Sequence, residues 1–246
     1  MRERRHGLPP RDGSDRLTTY AFPPPPIPTV AIDGEAARFP VRRIFCVGRN
    51  YAEHAREMGG NPDREKPFFF SKPADAVVES GATIPYPPET RDLHHEIEMV
   101  VAIGGGGFDV PPAQVEGLIL GYAVGIDLTR RDLQAEAKKA GRPWDWAKGF
   151  DRSAPIGAIR RADKTGHPSS GRIWLAVNET IKQDAGIGEL IWSVPELVAA
   201  ISRSMALRPG DLIMTGTPAG VGPVQPGDVL TGGVDGIGAV RVTIGR

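Results

Sequence analysis

Two glutamates one residue apart, Glu96 and Glu98, head an apolar run, EIEMVVAI (96–103). In a strand, residues i and i+2 share a face, so both carboxylates point one way and Ile97 and Met99 the other. Buried side by side they repel, and a divalent cation between them removes that cost. A solvent-facing strand with polar alternation would show the same spacing. Asp127 ends a second apolar run, AVGID (123–127). Aspartate is a poor strand former, so its place there needs a reason. It is either a third ligand or the N-cap of a helix opening at 131. Three carboxylates without a cysteine cluster favour a hard ion, Mg2+ or Mn2+, over zinc.

A second constellation is His54 and Glu57. At i and i+3 on a helix they share a face. A carboxylate beside an imidazole fixes its tautomer and raises its basicity, which suits a general base acting on water. A solvated surface pair is the alternative. His94 and His95 precede Glu96 directly, either as ligands or as supports at the strand entry. Lys148 lies among aromatics in WDWAKGF (144–150), where a lysine must snorkel out or face something negative. The turn TGTPAGVG (215–222) offers hydroxyls and backbone amides to a carboxylate.

These residues need elements to hold them. Strands are expected over 29–32 and 41–47. A short polar helix over 51–58 would carry His54, with Asn50 as N-cap, Glu53 in the capping-box position and Gly59 as its stop. So polar a helix makes a weak core contact and is expected to act as a lid. The stretch 67–72 reads as a buried apolar run ending in a lysine, 96–103 as a strand, and 118–129 as a strand pair or one bent strand. A helix follows over 131–140, ended by Gly141. A hairpin is expected at Asn178-Glu179. A second helix over 195–207 opens with a Ser193/Glu196 capping box, and strands fill the rest. The expected class is α+β, strand-dominated, with short helices: one catalytic domain over 29–246 and a flexible extension over 1–28 with a four-proline run.

Composition agrees. Gly (31) and Pro (24) make up 55 of 246 residues, well above the usual ~12% for the two together. That disfavours a helical bundle. The formal net charge is zero, which argues against binding nucleic acid or a membrane surface by bulk electrostatics. One cysteine, Cys46, permits no internal disulfide. No apolar run approaches the ~18 residues of a membrane span, and the N-terminus has no signal-peptide core. A cytoplasmic protein is expected.

The pieces GRNYAEHAREM (48–58), FFFSKPADA (68–76), HEIEMVVAIG (95–104), GYAVGIDLTRRDLQ (121–134), RPWDWAKGFDRSAPIG (142–157) and GDLIMTGTPAGVG (210–222) occur in that order. Together, over roughly 40–246, they resemble the fumarylacetoacetate hydrolase superfamily, and within it the small acylpyruvate hydrolase branch, including bacterial fumarylpyruvate hydrolases. The resemblance implies a mixed β-roll, commonly a homodimer. It implies Glu96, Glu98 and Asp127 as ligands of Mg2+ or Mn2+, and His54 and Glu57 as base and orienter. It puts Lys148 beside the reacting oxygen, and Arg131, Gln134 and Thr217 on a diketo acid substrate. The reaction implied is carbon–carbon hydrolysis of fumarylpyruvate to fumarate and pyruvate in gentisate degradation. Oxaloacetate decarboxylation or hydroxy-diene-dioate isomerisation on the same site is the alternative. The larger members' extra ligand aspartate has no match upstream of Glu96 here, as in the small branch.

Overall fold

The computed structural model describes residues 19–59 and 65–246. The first part of the chain supplies strands Thr29–Ala31 (β1), Arg38–Pro40 (β2) and Arg43–Gly48 (β3), helix Ala52–Glu57 (α1), and strands Phe68–Lys72 (β4), Val77–Glu79 (β5) and Thr83–Pro85 (β6). Then come Leu93–His95 (β7), Ile97–Ile103 (β8), Ile119–Ile126 (β9) and Thr129–Arg130 (β10), followed by helices Arg131–Ala140 (α2) and Asp145–Lys148 (α3). Strands Ala154–Ile156 (β11) and Arg160–Arg161 (β12) lead through helix Ala162–Thr165 (α4) to Arg172–Val177 (β13) and Thr180–Gly186 (β14). Helix Val194–Ser204 (α5) and strands Asp211–Met214 (β15), Gly222–Pro223 (β16), Val229–Val234 (β17) and Gly238–Gly245 (β18) complete the fold. Strands dominate and the helices are short, as the sequence implies.

An eight-stranded mixed sheet runs β4-β3-β15-β8-β9-β11-β5, with β12 also paired to β9. A five-stranded sheet, β14-β13-β17-β18-β6, packs against it. Every residue of β8 is buried, so apart from Glu98 it reads as an apolar run, as a central strand covered on both faces does. Its odd-numbered residues, Ile97 to Ile103, enter the large core shared with the five-stranded sheet. Its even ones, Val100 and Ala102, join a smaller core with Ile44, Cys46, Leu212 and Met214 under the β1–β2 hairpin. Glu98 has this second parity. The acidic pair therefore begins where a small-residue core ends.

Helix α2 runs over the expected residues and ends at Gly141 in the left-handed conformation, φ 61°. Helix α5 opens as expected: the Glu196 carboxylate accepts from the Ser193 N–H at 3.0 Å and the Ser193 hydroxyl at 2.8 Å. It stops at Ser204, three residues short of the expected end. The stretch 118–129 is bent. After Ile126 the chain leaves the large sheet, and β10 pairs with β7 in a three-stranded one.

Helix α1 corrects one expectation. Its N-cap is Tyr51, and no side chain caps it. Asn50 is used elsewhere, tying three distant segments together. Its amide donates to the Trp192 and Thr215 carbonyls at 3.0 and 2.8 Å and accepts the Trp192 N–H at 2.8 Å. Glu53 pairs with Arg56 instead of closing a capping box. Of the expected extension, 1–18 lie outside the described residues. Residues 19–27 are exposed, with Tyr20, Phe22 and Ile27 open to solvent. No helix among the described residues is long and apolar enough to cross a membrane.

Candidate active site

Glu96, Glu98 and Asp127 converge. One carboxylate oxygen from each lies within 4.8 Å of the others, and all three residues are buried. Asp127 caps no helix. Residue Arg130 stands at the N-cap of α2, while the Asp127 carboxylate faces two buried lysines. Lys148 Nζ lies 2.7 Å from Asp127 Oδ2 and 2.7 Å from Glu96 Oε2. Lys72 Nζ lies 2.8 Å from Asp127 Oδ1. It is off the hydrogen-bonding angle, so Oδ1 is a buried oxygen with no hydrogen bond among the described residues. The Arg131 guanidinium donates to Glu96 Oε1 and, at 2.6 Å, to Gln134 Oε1.

Cations are shared unequally among the carboxylates. Burial raises the Glu96 carboxyl, but the Lys148 and Arg131 charges outweigh it and hold Glu96 well below the usual range. Glu98 has no ion pair among the described residues. Burial, and then the Asp127 and Glu96 charges, push it well above the usual range, although the Gly216 N–H donates to its Oε2 at 2.6 Å. Gly216 sits at φ 98°, and a Cβ there would come within 2.6 Å of Asn50 Cβ. Glycine is thus required for that amide to reach the acid. An under-compensated Glu98 beside the unbonded Asp127 Oδ1 is what a divalent cation would complete, and an all-oxygen donor set suits Mg2+ or Mn2+.

Lys148 is more tied down than the sequence suggests. Its ammonium has three donors. They go to Glu96, Asp127 and, at 2.6 Å, Thr129 Oγ1. Burial lowers its pKa, but the Asp127 and Glu96 charges win and raise it. It is a fixed positive charge in this arrangement.

His54 and Glu57 share a face as expected. Their Nδ1 and Oε2 are 3.1 Å apart, and His54 is buried on a helix whose Glu53 and Arg56 are exposed. A carboxylate on Nδ1 leaves Nε2 as the acceptor nitrogen. Glu57 Oε1 also accepts the Gly220 N–H at 3.1 Å, fastening α1 to the 215–222 turn. His54, Glu96, Glu98, Arg131, Gln134, Lys148 and Thr217 line one cavity of about 30 Å³. Arg49 and Lys138, which the sequence did not single out, line it too. Burial, then the Arg49 and Arg131 charges, lower the Lys138 pKa.

Neither His94 nor His95 joins the acidic triad. His94 lies between Asp92 and Arg131. His95 Nδ1 is 3.0 Å from Gln183 Oε1. The Gln183 amide donates to Thr217 Oγ1 at 2.7 Å and to the Pro218 carbonyl at 2.8 Å. The Thr217 hydroxyl proton is then free to face the cavity. Burial, and then the Asp127 charge, push the Cys46 thiol up, so it is no nucleophile. Lys72 was visible only as the polar end of an apolar run. Its counter-charge is 55 positions on and invisible to local pattern.

The comparisons with known proteins agree with this geometry. The family profile described as "Fumarylacetoacetate (FAA) hydrolase C-terminal" matches residues 43–245, and the chain belongs to that family of enzymes. Among solved structures, the fumarylpyruvate hydrolase of Pseudomonas aeruginosa in complex with Mn2+ and pyruvate is 51% identical. It covers 92% of this chain and 99% of its own, with a TM-score of 0.90. A Burkholderia cenocepacia structure, provisionally described as a fumarylpyruvate hydrolase, is 57% identical over 93% of this chain and 99% of its own, TM-score 0.88. The mitochondrial oxaloacetate tautomerase FAHD1 of Mus musculus is 40% identical over 205 residues, 83% of this chain and 92% of that protein. The site is a divalent-metal site of this family.

Proposed function

We propose that this chain hydrolyses the carbon–carbon bond of a 2,4-diketo acid, with fumarylpyruvate as substrate and fumarate and pyruvate as products. The observation that carries the reading is that His54, with Glu57 on its Nδ1, lines the same cavity as Glu96 and Glu98. Hydrolysis needs a base for water; tautomerising or decarboxylating oxaloacetate does not. The Pseudomonas relative's pyruvate supports the product end.

His54 Nε2 would take a proton from a water while Glu57 holds the Nδ1 proton. The hydroxide adds to the acyl carbonyl carbon. The bond to the pyruvate methylene then breaks, its electron pair leaves as pyruvate enolate, and a proton returns to that carbon. Glu96, Glu98 and Asp127 would hold Mg2+ or Mn2+, which when bound supplies Lewis-acid stabilisation of the developing enolate charge. Lys148 adds fixed positive charge from beneath. Arg131, Arg49 and Lys138 surround the cavity with cations suited to a dicarboxylate, and the Thr217 hydroxyl and Gln134 amide orient its ends.

A cavity of about 30 Å³ holds roughly two waters, so a diketo acid enters only if a wall moves. Helix α1, which carries His54, is that lid in this reading. The homodimer and cytoplasmic location expected from the sequence go with the proposal, and light scattering checks the former. The deciding experiment is a spectrophotometric panel of acylpyruvates and oxaloacetate with Mg2+ or Mn2+. Turnover of fumarylpyruvate above the others is expected. Faster oxaloacetate tautomerisation with no acylpyruvate cleavage overturns the reading.

A further inference from the structure

On the far side of the same backbone lies a second, open groove of about 490 Å³, within the size range of small-molecule sites. The two-residue strand Thr129–Arg130 and the following Arg131 alternate between the two. Thr129 and Arg131 face the acidic cavity, whereas Arg130 lines the groove. Helix α3 does the same, with Lys148 on the acid side and Trp146 on the groove side.

Arg130 is 8% exposed, yet no ion pair or hydrogen bond engages its guanidinium among the described residues, and its Nε is fully buried without an acceptor. The guanidinium lies 4.4 Å over the Phe150 ring. A buried N–H left without an acceptor is unfavourable, and the terminal guanidinium nitrogens, which are not buried, open onto the groove. The candidates are near: Glu89 and Asp151 line the groove and act on Arg130 electrostatically, but both are exposed and neither hydrogen-bonds it. Arg152 supplies a second cation at the rim. The walls are aromatic and flat: Phe150 beneath the guanidinium, Tyr86 with its flanking prolines, and Trp146, which is 74% exposed. An exposed tryptophan beside an unpaired arginine suits a planar anion, with its carboxylate on the guanidinium and its ring against the indole.

We propose that this groove binds a small aromatic carboxylate, with Arg130 as the anion anchor and Trp146 as the stacking wall. The site is separate from the acidic cavity and independent of the reaction assigned to it.

The test is a titration of the full chain with benzoate, followed by tryptophan fluorescence and calorimetry, with benzyl alcohol as the uncharged control. The expected result is saturable binding of benzoate only, unaltered by Mn2+ and pyruvate. Arg130→Gln is expected to weaken it by at least about tenfold. Trp146→Ala, at a position 74% exposed, should weaken it in calorimetry as well, so the outcome does not hang on how well the arginine variant folds. Equal binding of benzyl alcohol, an undiminished affinity in both variants, or competition by Mn2+ and pyruvate overturns the proposal. So does a Trp146 shielded from acrylamide in the free protein, which would mean that a second copy of the chain covers the groove.

Discussion

The acidic cavity and the Arg130 groove are made from the same stretches of chain, yet they treat charge in opposite ways. Beside the acidic triad the cations are answered: Lys148 uses all three donors, and Lys72 and Arg131 each face a carboxylate. The unanswered group there is an acid, Glu98. In the groove the acids stay exposed, and the unanswered group is a cation, Arg130. Each cavity thus advertises the sign of what it lacks, a cation in one and an anion in the other. A count of net charge averages the two to nothing.

The comparison can be broken most severely on the acid side. His54→Ala should lower acylpyruvate hydrolysis by roughly 10²–10⁴-fold, the usual worth of a positioned general base. Mn2+ binding by calorimetry should be kept. Hydrolysis at the wild-type rate would remove the base role. Glu57→Gln should give a smaller loss in kcat and shift its pH profile.

Next in size is Lys72→Met. It removes one partner of a buried pair and leaves Asp127 less compensated, which typically costs about 3–5 kcal/mol of stability. Urea unfolding of the metal-free protein measures it. Mn2+ should restore part of the loss, because a bound cation answers the same carboxylate. An unchanged midpoint would show that Lys148 alone balances Asp127.

A pH dependence is smaller but more specific. Glu98 is raised in the folded chain, so between the unfolded value near ~4.3 and its folded value the native state holds the extra proton. The stability it contributes is full below the unfolded value and is lost as pH rises towards the folded one. Glu96 is depressed; its contribution is present above the unfolded value and lost as pH falls, so it is flat from pH 5 to 8. Buried His94 and His95, both lowered chiefly by burial, act in the opposite sense to Glu98 in that window. The quantity to measure is therefore the difference between wild type and Glu98→Gln in thermal scans with EDTA. The wild type should lose more stability from pH 5 to 8. Its gain from added Mn2+ should grow over the same range and vanish in the variant. Parallel curves would show that Glu98 carries its charge without a cation.

What the sequence showed of this molecule divides by the reach of the interaction. Helix α2 was legible to the residue because Gly141 and the first turn are local signals. The 178–179 hairpin and the Ser193–Glu196 box were legible for the same reason. The acidic triad was half legible: Glu96 and Glu98 share a face by strand geometry, whereas Asp127 had two readings until its lysines were placed. Asn50 misled because a good capping residue met stronger partners 142 and 165 positions away. Lys72, Arg49 and Lys138 stand in the wall of the site or just behind it with nothing in their neighbours to say so, and Arg130 is noticed only once its missing acceptor can be seen.

Glu57 holds one more consequence. One oxygen orients the imidazole and the other fastens the helix to the 215–222 turn. The helix cannot swing outward without breaking the second bond and carrying base and carboxylate away from the carboxylate triad together. In the proposed reading, opening the cavity and disarming the base are one event. The arrangement would be a mechanical interlock, in which water is activated only behind a closed door and a half-bound substrate meets a base that is switched off.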